Sequence, residues 1–486
     1  MTETNHSAPS LRGFLDDLRR LAPEELVEID ERVNPRDYEV NTFLDILKDR
    51  GKFPVLLFNN VSTFNGDRFP GRLITSADPG SYRRAALALG LPLDKSTSKD
   101  IIEELGRRAE NPTKPILVDR SDAPVKELVR VGEDADIGDL PLLMHFAEDA
   151  NPGWCTPIVA LSDPDTGRYN LAYYRCLYKG PRRATVKVSP EHVRHGAWYF
   201  NRAEEAGKPL PFAWILGHHP LFHQAAAMRT PYGIDEYDQA SGIMQPLRVV
   251  ASETWGEQFM VPADAEVVVE GHLLPNERDN EGPFGEWPRY YGCQTRQPVG
   301  EITAITMRRD AIFQAVWTSY HMLEDIAHSV GLQAYLKARY PRLVVASSLF
   351  HTWAILSLKK EAEGEPMRLA TAALGYGDHV KYVIVVDEDI NPFNLQEVFW
   401  AISMRVQPDE QVQILRNMKA NRNDPSTIHP MRGGVMIIDA TEPVDRPFEK
   451  RVDVPDATRQ RLLAEWDRYV SPETMGRIPV RDRWTY

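Results

Sequence analysis

Between residues 116 and 315 the sequence breaks into short apolar runs separated by Gly and Pro, and that texture limits the fold more than any other feature. Ile158–Leu161, Tyr169–Leu177, Thr185–Val188, Ala213–Leu216, Ala265–Leu273 and Glu301–Met307 have the length and β-branched or aromatic content of strands. Many short strands with turn residues between them predict a barrel or a sandwich. Lys179-Gly180-Pro181 supplies the turn of a hairpin between the second and third runs.

The flanks read differently. Leu11, Phe14, Leu15, Leu18 and Leu21 recur at helical spacing, Val55–Phe58 reads as a strand, and Tyr82–Leu91 and Asp100–Arg107 read as helices. Residues 1–115 are therefore expected to form an α/β lobe, one without catalytic spacing. Residues 316–486 open on a connecting helix expected over His321–Ala338. Tyr382–Val386 is a continuous apolar run, the pattern of a strand buried on both faces. Leu395, Val398, Phe399 and Ile402 then stand at i, i+3, i+4 and i+7 of an amphipathic helix. Strand followed by helix predicts a second α/β lobe. The fold class is thus α/β in the broad sense, an α+β multidomain chain without internal repeats.

Bulk properties exclude several roles. A chain of 486 residues can bury a large core without covalent staples. The net charge of −13 opposes binding to a nucleic-acid backbone. Cys155, Cys176 and Cys293 form no CxxC pair, which argues against a zinc knuckle, a thioredoxin-like site and a disulfide scaffold. No apolar run approaches the roughly 20 residues that span a bilayer, and MTETNHSAPS lacks the layout of a signal peptide. A cytoplasmic protein with neither membrane nor nucleic acid as partner is expected. Walker A, GxSxG and HExxH motifs are absent, as is a Rossmann glycine fingerprint between strand and helix.

The segment with most chemical content is Glu281-Gly282-Pro283-Phe284-Gly285-Glu286. Two carboxylates flank a stretch that Gly bends and Pro stiffens, so both can be aimed into one cavity. Like charges brought together hold a proton on one acid near neutrality, and such a group can protonate carbon. The same letters also suit a solvated acidic loop. In Tyr169–Arg175, Arg175 offers a fork for a carboxylate and Asn170 a hard oxygen for a divalent cation. Residues five apart face opposite sides of a regular strand, so a shared site needs a bulge or a strand that starts late. Otherwise Arg175 is a strand-edge cation. Asn170, His192 and Glu236 together make an oxygen and imidazole set that suits manganese or magnesium better than zinc. His192 also reads as a surface or capping residue, and the adjacent pair His218-His219 reads as structural. Lys381, ahead of the buried strand, can reach a ligand phosphate or simply solvate the strand end.

In this order the pieces resemble the UbiD decarboxylase family: Asn170 with Arg175, His192 after Ser-Pro-Glu, Glu236 in DEY, the EGPFGE loop, Lys381 before YVIVVDEDI, and the helix with EVFWAI. The resemblance runs from about residue 10 to 475. It implies an N-terminal α/β lobe (1–115), a split β-barrel that binds prenylated FMN (116–315), and a connecting helix with a C-terminal oligomerisation domain (316–486). Residue by residue it implies that Asn170, His192 and Glu236 hold Mn2+ against the cofactor phosphate, with His195 competing for the place of His192. It also implies K+ nearby, Lys381 in contact with the same phosphate, and Arg175, Glu281 and Glu286 as a Glu-Arg-Glu network beside the reactive ring. Some members carry Asp at the position of Glu286, which leaves the acid role intact.

The resemblance further implies reversible, non-oxidative decarboxylation through a covalent adduct with the prenylated flavin. Glu286 would protonate the carbon while Arg175 places the carboxylate and keeps Glu281 ionised. Loss of carbon dioxide from an sp² carbon leaves an anion that no side chain can absorb, so a cofactor must supply the electron sink. Trp287, after the acid, and His328, on the connecting helix, are candidate pocket residues, though ordinary packing explains both equally. They favour an aromatic or heteroaromatic acid, with a fused ring such as a phenazine carboxylate compatible, over a cinnamic-type acid. A flavin prenyltransferase is the implied supplier of cofactor, and a homodimer or higher homo-oligomer the implied assembly. Two rival readings remain: a flavin-independent, metal-dependent hydrolase or lyase, and a non-catalytic relative that only binds or assembles.

Overall fold

The computed structural model describes residues 9–77, 81–189, 194–317, 323–427 and 431–471. Packing gathers the chain into two compact units, one built from within residues 1–96, 100–331 and 421–431, the other from within 97–99, 332–420 and 432–486. No described helix is long and apolar enough to cross a membrane.

In the first unit, the helix Leu11–Leu21 is capped by Ser10, whose hydroxyl accepts the Gly13 N–H at 3.1 Å. The apolar face read from its spacing, Leu11, Phe14, Leu15 and Leu18, is buried against Val55, Leu57 and Ile74. The sheet beneath runs Leu26–Ile29, Val55–Phe58, Arg72–Thr75 and Ile312–Ala315, so its fourth strand comes from more than 200 residues further along the chain. The expected helices occur as Tyr82–Leu89 and Ser98–Ala109.

A nine-stranded sheet dominates this unit. Its main path runs Trp154–Cys155, Cys176–Gly180, Arg183–Val186, Thr295–Met307, Val267–Glu281, Leu210–Leu216, Ile158–Ser162 and Tyr169–Tyr173, with Leu128–Val131 added on Thr295–Met307. Tyr169–Tyr173 is thus an edge strand and Cys176–Gly180 stands next to the opposite edge, yet only Tyr174 and Arg175 connect them. On a flat sheet those positions would lie roughly 29 Å apart at ordinary strand spacing, whereas three chain steps reach roughly 11 Å. The sheet must therefore curl until its edges nearly meet, the split barrel expected from the sequence. Tyr174 N still donates to Pro157 O beside one edge, while Arg175 O already accepts Lys187 N beside the other.

Here the structure corrects the single strand read over Tyr169–Leu177. The run is two strands with a two-residue seam, because the chain changes hydrogen-bonding partners there. The hairpin turn expected near Gly180 is present, joining Cys176–Gly180 to Arg183–Val186. The strands expected over Ala265–Leu273 and Glu301–Met307 are longer, forming a hairpin of Val267–Glu281 with Thr295–Met307 that ends on the pair Glu281 and Thr295.

The second unit has a five-stranded sheet ordered Leu343–Leu349, Trp353–Leu358, Tyr382–Asp387, Arg432–Ala440 and Val412–Lys419. Its central strand explains the continuous apolar run. Val383 and Val385 pack on one face with Leu369, Ala370 and Ala373 of the helix Glu365–Leu374. Ile384 and Val386 pack on the other with Val398 and Ala401 of the helix Leu395–Arg405. The connecting helix is described from Leu323 to Lys337, and His321 lies outside the described residues.

Gly271, at a bulge in the long hairpin, has its missing Cβ directed at the Glu301 carbonyl oxygen of the paired strand. Gly271→Ala is expected to destabilise the protein by about 2–3 kcal/mol through overpacking, measured as a lowered midpoint in chemical denaturation. A wild-type midpoint would show that the hairpin yields at this bulge.

Candidate active site

Arg175, on the seam, is 6% exposed and sits between the two carboxylates of the EGPFGE loop. Its Nε donates to Glu281 Oε1 at 2.5 Å and Nη2 to Glu281 Oε2 at 2.6 Å, the bidentate fork. Its Nη1 donates to Glu286 Oε1 at 2.6 Å. Burial works against the guanidinium charge, but Glu286 and Glu281, with Asp149 beyond them, hold it above its ordinary range. Phe284, from the same loop, places its ring 5.0 Å from the guanidinium carbon, and Trp154 lies 5.8 Å away.

The two carboxylates are not equivalent. Glu281 is wholly buried, with both oxygens on Arg175. Glu286 is 14% exposed and its Oε1 also accepts Lys187 Nζ at 2.8 Å. Lys187 escaped the sequence reading. The signal was present, since it is the one charged residue in the strand-like Thr185–Val188, yet a strand-edge lysine is the ordinary explanation of such a letter.

A second cluster forms five residues upstream. Glu236 is 3% exposed and begins the helix Glu236–Met244, which Asp235 caps by accepting the Tyr237 N–H at 2.9 Å. Asn170 Nδ2 donates to both oxygens of Glu236, at 3.1 and 3.0 Å. Leu171 N donates to Glu236 Oε2 at 2.5 Å. Burial pushes the Glu236 carboxyl up, and the donors around it, His195 foremost, pull it back. His195, first residue of the helix His195–Glu205, has Nδ1 3.5 Å from Glu236 Oε1.

The donor chemistry fits a hard cation. With its amide nitrogen committed to Glu236, Asn170 turns Oδ1 the other way, where it is buried and accepts no hydrogen bond from the described residues. A buried carboxylate, an unsatisfied amide oxygen and an imidazole converge. The histidine in reach is His195; His192 lies outside the described residues.

Trp287 is half-buried directly after Glu286, and His328 is buried, at 6% exposure, on Leu323–Lys337. Lys381 belongs to the second unit, where it precedes Tyr382–Asp387 with its ammonium 5.5 Å from the Tyr382 ring centre. His218 and His219, read as structural, are both buried; His219 caps the helix Pro220–Ala227 by accepting the Leu221 N–H at 3.2 Å.

Comparison with known proteins adds three agreeing findings. Residues 18–109, 116–321 and 310–440 match the N-terminal, Rift-related and C-terminal domains of 3-octaprenyl-4-hydroxybenzoate carboxy-lyase. A phenolic acid decarboxylase of Sedimentibacter hydroxybenzoicus is 33% identical over 475 residues, 93% of this chain and 96% of the relative. Another, from Bacillus subtilis, is 31% identical over 89% of this chain and 93% of its own. Among solved structures, the UbiD-class enzyme HmfF from Pelotomaculum thermopropionicum, in complex with FMN, superposes with a TM-score of 0.81 at 32% identity, covering 94% of this chain and 99% of that one. An evolved dimeric form of HmfF in complex with prFMN gives 0.78 at 31% identity, over 93% and 98%. The vanillic acid decarboxylase of Sedimentibacter hydroxybenzoicus in closed form gives 0.81 at 31%, over 95% and 99%.

Arg175→Met leaves Glu281 buried without its cation, and a loss of about 3–5 kcal/mol is expected. Adding Glu281→Gln should restore part of it, because the stranded charge is then gone. Denaturation midpoints of the single and double variants measure both effects, and strict additivity would show that the pair is not coupled.

Proposed function

This chain belongs to the UbiD family of carboxy-lyases, and on that premise we propose that it decarboxylates an aromatic or heteroaromatic acid, reversibly and without oxidation, with Glu286 as proton donor. The observation that carries this reading is the buried guanidinium of Arg175 shared between Glu281 and Glu286.

Flavin complexes of the relative HmfF support prenylated FMN as cofactor. When bound, that cofactor supplies, through a covalent bond to the substrate, the electron sink that side chains cannot. Asn170, Glu236 and a histidine, His195 or His192, would hold Mn2+ against its phosphate, with K+ beside it and Lys381 as a further phosphate contact.

The chain's own residues account for binding and proton movement. Arg175 has five N–H donors, of which three are given to Glu281 and Glu286. A substrate carboxylate takes the remaining two, on Nη1 and Nη2. That anion competes with Glu286 for the cation, and like charge nearby raises the affinity of Glu286 for a proton. Glu286, whose Oε1 faces two cations, carries the proton on its carboxyl and delivers it to the carbon after carbon dioxide leaves. Glu281, fully buried, keeps Arg175 charged and aimed throughout.

Vanillic acid and 3,4-dihydroxybenzoic acid decarboxylases among the structural relatives favour a hydroxylated ring. The half-buried Trp287 beside Glu286 offers a flat apolar surface for it, and a fused-ring acid remains within the proposed class. A cytoplasmic homo-oligomer is the proposed form; Phe399 and Met404, 58% and 60% exposed on Leu395–Arg405, give a second copy apolar surface to cover.

The test is to co-express the protein with a flavin prenyltransferase, record its absorbance and flavin mass, and screen hydroxybenzoic, heteroaromatic, phenazine and cinnamic acids. A coloured protein that releases carbon dioxide from an aromatic acid is expected; a colourless one that acts on none of them would sink the proposal. Glu286→Gln should keep the flavin and lose about 100-fold or more in turnover, the size of a general-acid contribution. Glu236→Ala should lose manganese by elemental analysis, and full metal content would remove Glu236 from the ligand set.

A further inference from the structure

A third carboxylate, Asp149, lies buried against the back of the Glu281–Glu286 loop, its side chain wholly inaccessible. Asp149 Oδ1 accepts the Gly285 N–H at 2.7 Å, and Oδ2 accepts the Phe146 N–H at 3.0 Å. Two more bonds fasten the same segments together: Ala150 N donates to Pro283 O at 2.8 Å, and Glu148 N donates to the Tyr291 hydroxyl at 3.0 Å. Gly285 permits this approach because a Cβ there would strike the Phe146 ring. His145 fills the space behind, its ring edge-on to Phe284 at 5.3 Å and its Nδ1 3.9 Å from Asp149 Oδ2. Burial drives the His145 imidazole down to about 3, so it is neutral and adds no cation. Burial also lifts Asp149 to about 6, with the N–H groups of Gly285, Phe146 and His145, and the charge of Arg175, pulling it back. It is therefore mostly ionised above neutrality.

We propose that Asp149 is a positioning residue that, by gripping the Gly285 N–H, fixes the direction in which Glu286 presents its proton. Gly285 is the residue before Glu286, so a shift of its backbone swings the Glu286 carboxyl away from Arg175 and Lys187. The two oxygens hold N–H groups from two segments, one on the catalytic loop and one on the supporting loop. Only a carboxylate offers an acceptor to each. Asparagine has the same shape but one acceptor, so its amide N–H must oppose one of those donors, and an unmet buried donor is costly. The proposal rests on Glu286 being the proton donor.

The test uses Asp149→Asn in the full chain, loaded with flavin by co-expression. The variant should fold and absorb like the unaltered protein with a lowered melting midpoint, keep KM for the aromatic acid within about twofold, and lose about tenfold to a hundredfold in kcat, the penalty of a misplaced group. Exchange of the product's ring hydrogen in D2O, which isolates proton delivery, should fall equally. A kcat and an exchange rate at wild-type level overturn the proposal. A crystal structure of the variant gives a readout independent of turnover: Glu286 displaced from Arg175 supports it, and an intact contact overturns it. Should Asp149→Asn fail to fold, Phe146→Ala loosens the same face of Gly285 without touching a polar group, and the same criteria apply. If the unaltered protein acts on no acid, the functional reading fails while the crystal structure still decides the role of Asp149.

Discussion

A guanidinium taken out of water is tolerable only where carboxylates replace its solvent, and everything else about the site follows from how Arg175 meets that demand. Glu281 meets most of it with two parallel bonds from full burial. Glu286 meets the rest with one, while also taking Lys187. The division separates roles. The buried carboxylate binds the guanidinium through both oxygens, while the partly exposed one divides one oxygen between two cations. Two acids of identical chemistry are distinguished by environment alone.

The fold exists around that meeting point. Arg175 stands on the two-residue seam where the curled sheet nearly closes, and Glu281 ends the strand of a long hairpin on the same sheet. Strands are stiffer than loops, so holding the cation on a two-residue seam between strands, and its main partner at a strand end, fixes their separation better than free loops would. The metal-type cluster of Asn170, Glu236 and His195 begins one strand-length upstream of Arg175. A single short strand therefore sets the spacing between the two clusters.

Some of this was legible in the letters. The helical face of Leu11–Leu21, the strand Val55–Phe58 and the doubly buried Tyr382–Val386 follow from local periodicity, and the structure has all three. Glu281, Glu286 and Arg175 were recognisable as a set through the family's ordered motifs. Lys187 was not, because a lone lysine in a strand usually has no function. The seam was not either: Tyr173-Tyr174-Arg175-Cys176 contains neither Gly nor Pro to mark a break. The N-terminal lobe's fourth strand, Ile312–Ala315, was equally invisible, since nothing near it in sequence shows what it pairs with.

What the sequence by itself determined is the chemistry on offer and the local periodicities: which residues can ionise, which runs alternate or turn helically, and where Gly and Pro bend the chain. These depend on side-chain type and on neighbours a few positions away. Tertiary structure alone decided that Arg175 would grip Glu281 with two bonds and Glu286 with one, across 106 and 111 residues, that Lys187 would be the second cation, and that His195 would come within 3.5 Å of Glu236. Those contacts come from closing a sheet whose pairings are non-local. Their geometry is set by strand order and curl, which no short window of residues encodes.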